Sequence, residues 1–209
     1  MTDVSPSARE VGSAASVAWR NPRTGSTVPV GVLEQDAEGY SFSYLRRSLD
    51  VPGFRPLLGF ENLDVRYRSP YLFPLFRERL MDSRRPDYRA YLTVLGLDED
   101  AQPMTILGRS EGRPAGDSIF LVREPEVADD GTTRAVFFVH GPRHLPDALA
   151  RIARLSVGER LLLVDDHRNP VNPQAILVSA SDRRPLGYVP DLLVPYVRKV
   201  REVGEPSVT

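Results

Sequence analysis

The first part of the chain alternates apolar and polar residues in three short runs. The runs ASVAWRN and TVPVGVLEQD are split by the turn-rich NPRTGS, and EGYSFSYL follows after a second Gly-containing turn. Alternation with a period of two residues is typical of strands that bury one face. Residues 15–44 are therefore predicted to form a β-meander, and residues 48–64, which are punctuated by Pro and Gly, are predicted to be irregular.

Between residues 69 and 97 the apolar spacing changes to three and four residues, which predicts helices. A first helix is expected to have Ser69 as its N-cap and Pro70 as its first residue, and its apolar positions are Leu72, Leu75, Phe76 and Leu80. A second helix is expected between Pro86 and Gly96, with a face formed by Tyr88, Tyr91, Leu92 and Leu95. The stretch PMTILGRSEGRPAGDSIFLV predicts either two short strands or a helical turn and a strand around a Gly/Arg-rich loop.

A second pattern begins after EPEVADDGTTR, residues 124–134, which is acidic and Gly-containing and is predicted to be a linker. The elements predicted after it are a strand at RAVFFVHG, a helix at LPDALARIARL with Leu145, Leu149 and Ile152 on one face, strands at ERLLLVDD, QAILVSA and LGYVP, and a helix near Pro195. This order predicts a small, partly open barrel or sheet domain with two helices. The expected α+β organisation is a disordered leader (1–14), a first domain (15–123), the linker (124–134), a second domain (135–203) and a tail (204–209).

Composition narrows the class of protein. The chain is 41% hydrophobic and 26% charged, which is typical of a soluble globular protein. No stretch reaches the roughly 18 apolar residues of a membrane span, and the N-terminus lacks the apolar core of a secretory signal. There is no cysteine, which excludes disulfides and thiolate sites. We expect a bacterial, cytoplasmic protein without a membrane partner.

The basic residues point weakly to a polyanionic partner. Lys199 is the only lysine, so almost every basic site carries the planar guanidinium fork that suits phosphates and stacks on bases. Residues 134–203 hold eleven basic and seven acidic residues, whereas residues 1–133 hold sixteen basic and twenty acidic ones. A mildly basic C-terminal third is compatible with nucleic-acid binding.

The stretch HRNPVNPQAILV, residues 167–178, places two Asn-Pro dipeptides three residues apart between two apolar runs. Proline lacks a backbone N–H and biases the residue before it toward extended geometry. The segment can therefore continue neither a helix nor a strand ladder. It is predicted to be a stiff turn.

The second half contains four separated motifs: Gly141 with Arg143–His144, Leu161–Leu163, Asn169-Pro170 through Ala175-Ile176, and Gly187-Tyr188-Val189-Pro190. Because these motifs occur in the order of the HIRAN domain family, residues 135–203 resemble that family. The resemblance implies a small barrel of the oligonucleotide-binding type, which in DNA-binding members of the family binds the 3′ end of single-stranded DNA. By resemblance, the nucleic-acid contacts are Arg143, His144, Asn169, Val171 and Asn172, with Arg198 and Lys199 as further phosphate contacts.

The chain departs from the family pattern inside the loop. Val171 and Asn172 stand where the DNA-binding members have a tyrosine and an aspartate. Valine cannot stack on a base, a contact worth on the order of 1–3 kcal/mol in single-strand binders, and asparagine can bind a terminal hydroxyl only without charge. We therefore expect end recognition to be weakened or rerouted. Gly187 and Tyr188 are expected to be structural, with the glycine allowing close backbone approach.

Four segments of the first half form a further pattern: VGVLEQDAEGYSFSYL, LGFENLDVRYRSPYLFPLFRERL, RPDYRAYLTVLGL and GRSEGRPAGDSIF. In these segments the first half resembles the N-terminal subdomain of HipA-type toxin kinases. In that family the catalytic groups lie downstream of this subdomain, so the resemblance implies an adaptor and no kinase activity.

Other candidate chemistry is weak. His140 and His144 are separated by Gly141 and Pro142, so they do not share a helical face as zinc ligands would. Asp165, Asp166 and His167 at a strand end are more typical of a turn than of acid–base catalysis. GRSEGRPAGDS lacks the spacing of a phosphate-binding loop. We expect no catalytic residue, no metal and no cofactor.

These features predict a non-enzymatic, two-domain protein that binds single-stranded DNA or DNA ends. Its N-terminal domain would join the barrel to a helicase, a nuclease or a regulator, as an accessory of DNA repair or defence. The alternative is a protein–protein regulatory module, of the toxin–antitoxin kind, whose barrel has lost DNA binding. Val171 and Asn172 favour this alternative, whereas Arg143 and the basic C-terminal third favour the first reading.

Overall fold

The computed structural model describes residues 13–112, 117–128 and 130–209, which form a mixed α/β protein with antiparallel sheets. The predicted α+β class is thus confirmed. The chain divides into two compact units: the first comprises the chain up to Val17 and Val30–Glu124, and the second comprises Ala18–Pro29 and Pro125–Thr209. The predicted leader lies outside the described residues up to residue 12, and residues 13 and 14 belong to the first strand.

Five strands form the larger sheet, in the order β4-β3-β2-β1-β5. They are β1 (Ser13–Arg20), β2 (Thr27–Asp36), β3 (Gly39–Tyr44), β4 (Tyr67–Ser69) and β5 (Ile119–Arg123). The strands β2 and β3 are antiparallel, with Gly31 opposite Tyr44 and Asp36 opposite Gly39. The three predicted strands of the meander are therefore confirmed.

The core of the first unit combines aliphatic and aromatic side chains. Val30, Leu33 and Phe42 are fully buried on adjacent strands. The ring of Phe42 packs edge to face on Phe60, with 4.6 Å between the centroids, and lies 5.6 Å from Phe76. Full burial of one such side chain stabilises the fold by about 1.5–3 kcal/mol, so this cluster holds the irregular segment around Phe60 against the sheet.

The helices of the first unit are α1 (Pro74–Arg77), α2 (Tyr88–Val94) and α3 (Pro103–Ser110), and Arg46–Asp50 form a 3₁₀ turn. The prediction of a helix starting at Pro70 is wrong. Ser69 ends β4, and α1 begins only at Pro74, because a proline inside a helix lacks a donor and clashes with the preceding turn. Between residues 103 and 123 the helix-and-strand alternative is the correct one.

The second helix follows its prediction more closely. Leu92 and Leu95 are buried, and Tyr88 and Tyr91 pack against them. Gly96 has φ +65°, and the amide of Leu97 donates to the carbonyl of Leu92 at 3.0 Å. This left-handed glycine ends the helix, as the sequence predicts.

Within the described residues from Pro125 onward, the second unit contains two small sheets and two helices. Its elements are β6 (Glu126–Val127), β7 (Thr133–Arg134), α4 (Ala148–Ile152), β8 (Leu162–Asp165), β9 (Ile176–Ser179), β10 (Pro185–Tyr188) and α5 (Val194–Val203), with 3₁₀ turns at Pro142–His144 and Asp191–Leu193. The antiparallel pair β6–β7 lies within residues 124–134, the stretch that we predict to be a linker.

The strands β10, β9 and β8 form an open antiparallel sheet in that order. Isolated bridges extend it at both edges, from His140 to Tyr188 of β10 and from Leu161 to Val208 in the predicted tail. Its residues Ile176, Val178 and Leu186 are buried. The described strands do not close into a barrel, and the partly open barrel stays a prediction.

Two expectations for the second unit are wrong. Of residues 134–141, only Arg134 belongs to a strand and only His140 makes a further bridge, because an alternating pattern needs a partner edge to form a ladder. In α4 the buried residue is Ala148, whereas Leu149 is 53% exposed. The helix spans only five residues, Ala148–Ile152, so Leu145 of the predicted stripe lies before its first residue.

Candidate nucleic-acid interface

Arg143 and His144 lie in a tight turn at the edge of the small sheet. Gly141 has a left-handed backbone, and Pro142 then opens the 3₁₀ turn, whose two basic side chains are exposed. The preceding residue, His140, exchanges two backbone hydrogen bonds with Tyr188, of 2.8 and 2.9 Å. The turn is therefore anchored at its base, while its basic side chains face solvent.

The NPVNP loop is held by its own asparagines. The Oδ1 atom of Asn169 accepts the backbone N–H groups of Val171 and Asn172, each at 3.0 Å. The Oδ1 atom of Asn172 accepts the N–H of Gln174 at 2.9 Å, and the amide of Ala175 donates to the carbonyl of Asn172. The loop thus consists of two consecutive asparagine turns, and the predicted turn is confirmed.

Asn172 also has a partner remote in sequence. Its Nδ2 donates to Oδ1 of Asp191 at 2.8 Å, at the start of the 3₁₀ turn after β10. Asparagine carries two amide hydrogens and two acceptor positions, so one hydrogen is occupied by Asp191 and one acceptor position by Gln174. The side chain first positions the loop. Only its remaining hydrogen and lone pair could meet a ligand.

Val171 is the exposed tip of the loop. Its side chain is 53% accessible, and its apolar surface offers neither a charge nor a ring. Position 171 therefore provides contact area but no base stacking.

Tyr188 links the basic turn to the loop. Its hydroxyl donates to Oδ2 of Asp166 at 2.9 Å, and its backbone pairs with His140. A methyl group placed on Gly141 would lie 3.6 Å from Cδ2 of His144 and 3.7 Å from Cδ2 of Tyr188. The two candidate segments are therefore side by side. Burial, and then the hydrogen bond to Asp166, raise the pKa of the tyrosine, so its hydroxyl is a donor at neutral pH.

The two basic candidates of α5 differ in availability. Arg198 donates from Nη2 to Oδ1 of Asp165 at 3.1 Å and to the carbonyl of Gln174 at 2.9 Å. Arg201 shares the same carboxylate oxygen at 3.2 Å and also donates to the carbonyl of Leu163. Arg198 therefore ties α5 to the small sheet. Lys199 is exposed and is the freer of the two predicted phosphate contacts.

Adjacent carboxylates in the sheet serve different partners. Asp165 forms salt bridges with Arg198 and Arg201 of α5. Asp166 accepts hydrogen bonds from the hydroxyl of Tyr188 and from the backbone N–H of Arg168. Each carboxylate therefore has a structural partner. Within the described ranges, no three histidine or carboxylate side chains are grouped so that they could hold a metal ion.

The sequence alone does not predict the hydrogen bonds that connect the segments of the candidate interface. Asp191 and Asp166 are absent from the predicted contacts, and Tyr188 was predicted to be structural without a named partner. Their partners lie 19 and 22 residues away along the chain. The Gly/Arg-rich loop between residues 108 and 118 lies partly outside the described residues.

Comparison with known proteins yields one structural likeness. No protein-family model matches the chain, and no curated protein matches it. The chain is similar to a solved N-terminal domain of HipA toxin, with 18% sequence identity and a TM-score of 0.35, over 59% of this chain and 97% of that domain. In the part of the chain that the structure describes, no helix is long and apolar enough to cross a lipid bilayer.

Proposed function

We propose that the second unit binds single-stranded DNA or a DNA end at the surface formed by the basic turn and the NPVNP loop. The observation that carries the proposal is the juxtaposition of these two segments through Tyr188. Both predicted segments are surface turns built on one sheet. A rigid sheet that presents two exposed turns is a common way to place binding residues.

The contacts follow from the side chains that remain available. Arg143 is exposed and would contact a phosphate, while His144 beside it would stack on a base. The loop would supply the last amide hydrogen and lone pair of Asn172 to a terminal hydroxyl. Because Val171 cannot stack, most of the binding free energy would come from phosphate contacts, and affinity would fall steeply with salt.

The first unit would serve as an adaptor that joins the second unit to a helicase, a nuclease or a regulator. This part of the proposal rests on the HIRAN and HipA resemblances of the sequence. It assigns no catalytic residue, metal or cofactor to the protein.

Fluorescence anisotropy tests the proposal directly. The full chain is titrated onto labelled single strands ending in a 3′-hydroxyl or a 3′-phosphate and onto a blunt duplex. We expect tighter binding to the 3′-hydroxyl strand than to the duplex. Absence of binding below about 100 μM at low salt, where even non-specific DNA binders associate, would refute the DNA function. Equal binding to all three would retain nucleic acid and discard end recognition.

Arg143→Ala locates the site within this assay. Loss of one phosphate contact should weaken binding roughly fivefold to tenfold at 50 mM salt and lower the salt slope by about 0.7. Arg55→Ala is the matched control, because Arg55 is an exposed arginine of the first unit and its loss changes the net charge equally. Equal effects of the two substitutions would mean that the site is misplaced.

A protein–protein regulatory module is the second candidate function. The exposed apolar tip at Val171 and the occupation of Asn172 by Asp191 favour it. In this case the chain would fail the anisotropy assay, and Val171→Asp would abolish capture of the partner protein while leaving the thermal midpoint unchanged.

A further inference from the structure

The turn between β1 and β2 is a third segment that lies close to the candidate interface. The amide of Asn21 donates to the carbonyl of Ser26 at 2.8 Å, and the amide of Gly25 donates back to the carbonyl of Asn21 at 2.8 Å. The Oδ1 atom of Asn21 accepts the amides of Arg23 and Thr24. The turn is therefore a defined structure. It lies in Ala18–Pro29, which is grouped with the second unit.

The position of Gly25 shows where this turn lies. A methyl group placed on Gly25 would be 3.9 Å from Cγ1 of Val171 and 3.8 Å from Nη2 of Arg20. Both distances are measured from the same methyl position on Gly25. The distance between Nη2 of Arg20 and Cγ1 of Val171 therefore cannot exceed the sum of the two. The turn thus places a guanidinium beside the position at which the loop lacks an aromatic ring.

Arg20 is available for a ligand. Its side chain is exposed, and its Nε donates to the carbonyl of Gly25 at 3.3 Å. This bond orients the fork, and none of the described carboxylates forms an ion pair with its Nη groups. Arg198 contrasts with it, since Asp165 neutralises that guanidinium.

We propose that Arg20 is a phosphate-contacting residue of the same interface, which rests on the proposed DNA function. A planar fork whose two Nη groups form no ion pair with the described carboxylates matches the oxygens of a phosphate. The strand would pass from Arg143 across the NPVNP loop to Arg20. Val171 cannot contribute binding free energy by stacking on a base. Arg20 then supplies part of this free energy through its charge interaction with a phosphate.

Salt-dependent anisotropy with the 3′-hydroxyl strand tests this assignment. The wild-type protein, Arg20→Ala, Arg20→Lys and the control Arg55→Ala are compared between 50 and 200 mM salt. Arg20→Ala should weaken binding roughly fivefold to tenfold at 50 mM and lower the salt slope by about 0.7, as one lost phosphate contact predicts. Arg20→Lys should keep the wild-type slope, because it keeps the charge while changing the group that bonds Gly25.

The outcomes separate this assignment from the proposed function. If the wild type binds and Arg20→Ala behaves like Arg55→Ala, Arg20 is not a contact and the DNA function stands. If Arg20→Lys loses the same slope as Arg20→Ala, the turn geometry matters rather than the charge, and the assignment is again wrong. A wild-type protein that binds no strand overturns both. A thermal melt of each variant verifies that all four proteins are folded.

Discussion

Asn172→Asp exchanges one group at the most constrained point of the loop. The substitution is nearly isosteric, and the carboxylate can still accept the amide of Gln174. It removes the N–H donor that lies 2.8 Å from the Asp191 carboxylate. Two carboxylates then face each other at hydrogen-bond distance, which the wild-type loop avoids.

The expected cost follows from two terms. A hydrogen bond to a charged acceptor contributes about 1.5–3 kcal/mol. Two like charges about 3 Å apart repel by roughly 1 kcal/mol in a water-like dielectric, which suits this partly exposed pair. The variant should therefore lose about 2–4 kcal/mol of unfolding free energy at pH 7.5, and at a denaturant slope of about 2 kcal/mol per molar its urea midpoint should fall by about 1–2 M.

The loss should depend on pH. One carboxyl of the variant pair binds a proton more readily in the folded state than in the unfolded state, where it titrates near pH 4. The penalty is therefore complete at pH 7.5 and shrinks as the pH falls toward 4, because a shared proton restores a donor. Urea unfolding followed by fluorescence of Trp19, the only tryptophan, measures this in the second unit.

The swapped double variant decides whether this explanation holds. Asn172→Asp combined with Asp191→Asn restores one donor and one acceptor with their roles exchanged. It should recover most of the lost stability. A double variant as unstable as Asn172→Asp, or a loss that is the same at pH 4 and pH 7.5, would refute the reasoning.

Two further predictions concern packing and pH. Gly187→Ala should lower the free energy of unfolding by about 1–3 kcal/mol, because the added methyl group would lie 2.9 Å from the backbone oxygen of His140. Gly204 has open space around it and an extended backbone, so the control Gly204→Ala should leave the urea midpoint unchanged. Burial raises the pKa of Tyr44 to about 12, so its stabilising contribution is complete below pH 10 and is lost as the pH rises toward 12. Tyr44→Phe should therefore unfold more easily at pH 8 yet lose less stability between pH 9 and pH 11, and a parallel pH dependence of the two proteins would contradict this.

Local patterns predicted most of the regular elements. The alternating runs of the meander, the strands β8 to β10 and the glycine end of α2 appear where the sequence places them. They follow from the bonds and the burial of adjacent residues. The helix expected from Pro70 fails for a reason that was also local, since Pro74 stands inside the predicted span. Proline is favoured in the first turn of a helix and disfavoured in its interior, so the sequence itself favours Pro74 over Pro70 as the first helical residue.

The wrong prediction of a strand at residues 134–141 could not have been avoided from the local sequence. Residues 135–139 alternate in exposure as a strand would, yet no backbone pairs with them among the described residues. Whether an extended segment becomes a ladder depends on which edge lies next to it. The position of a neighbouring strand depends on the rest of the fold and cannot be inferred from the residues of the segment itself.

The sequence by itself determined the local hydrogen bonding of the NPVNP loop. Each asparagine bonds backbone groups two or three residues away, and each proline removes a donor. Only the tertiary structure decided what surrounds the loop: Asp191 at Asn172, Tyr188 between the loop and the basic turn, and Arg20 beside Val171. These contacts join residues 19 to about 150 positions apart, and their existence depends on how β10 and the β1–β2 turn pack. Short-range bonding is encoded in neighbouring residues, whereas the composition of a surface site is set by chain packing over the whole unit.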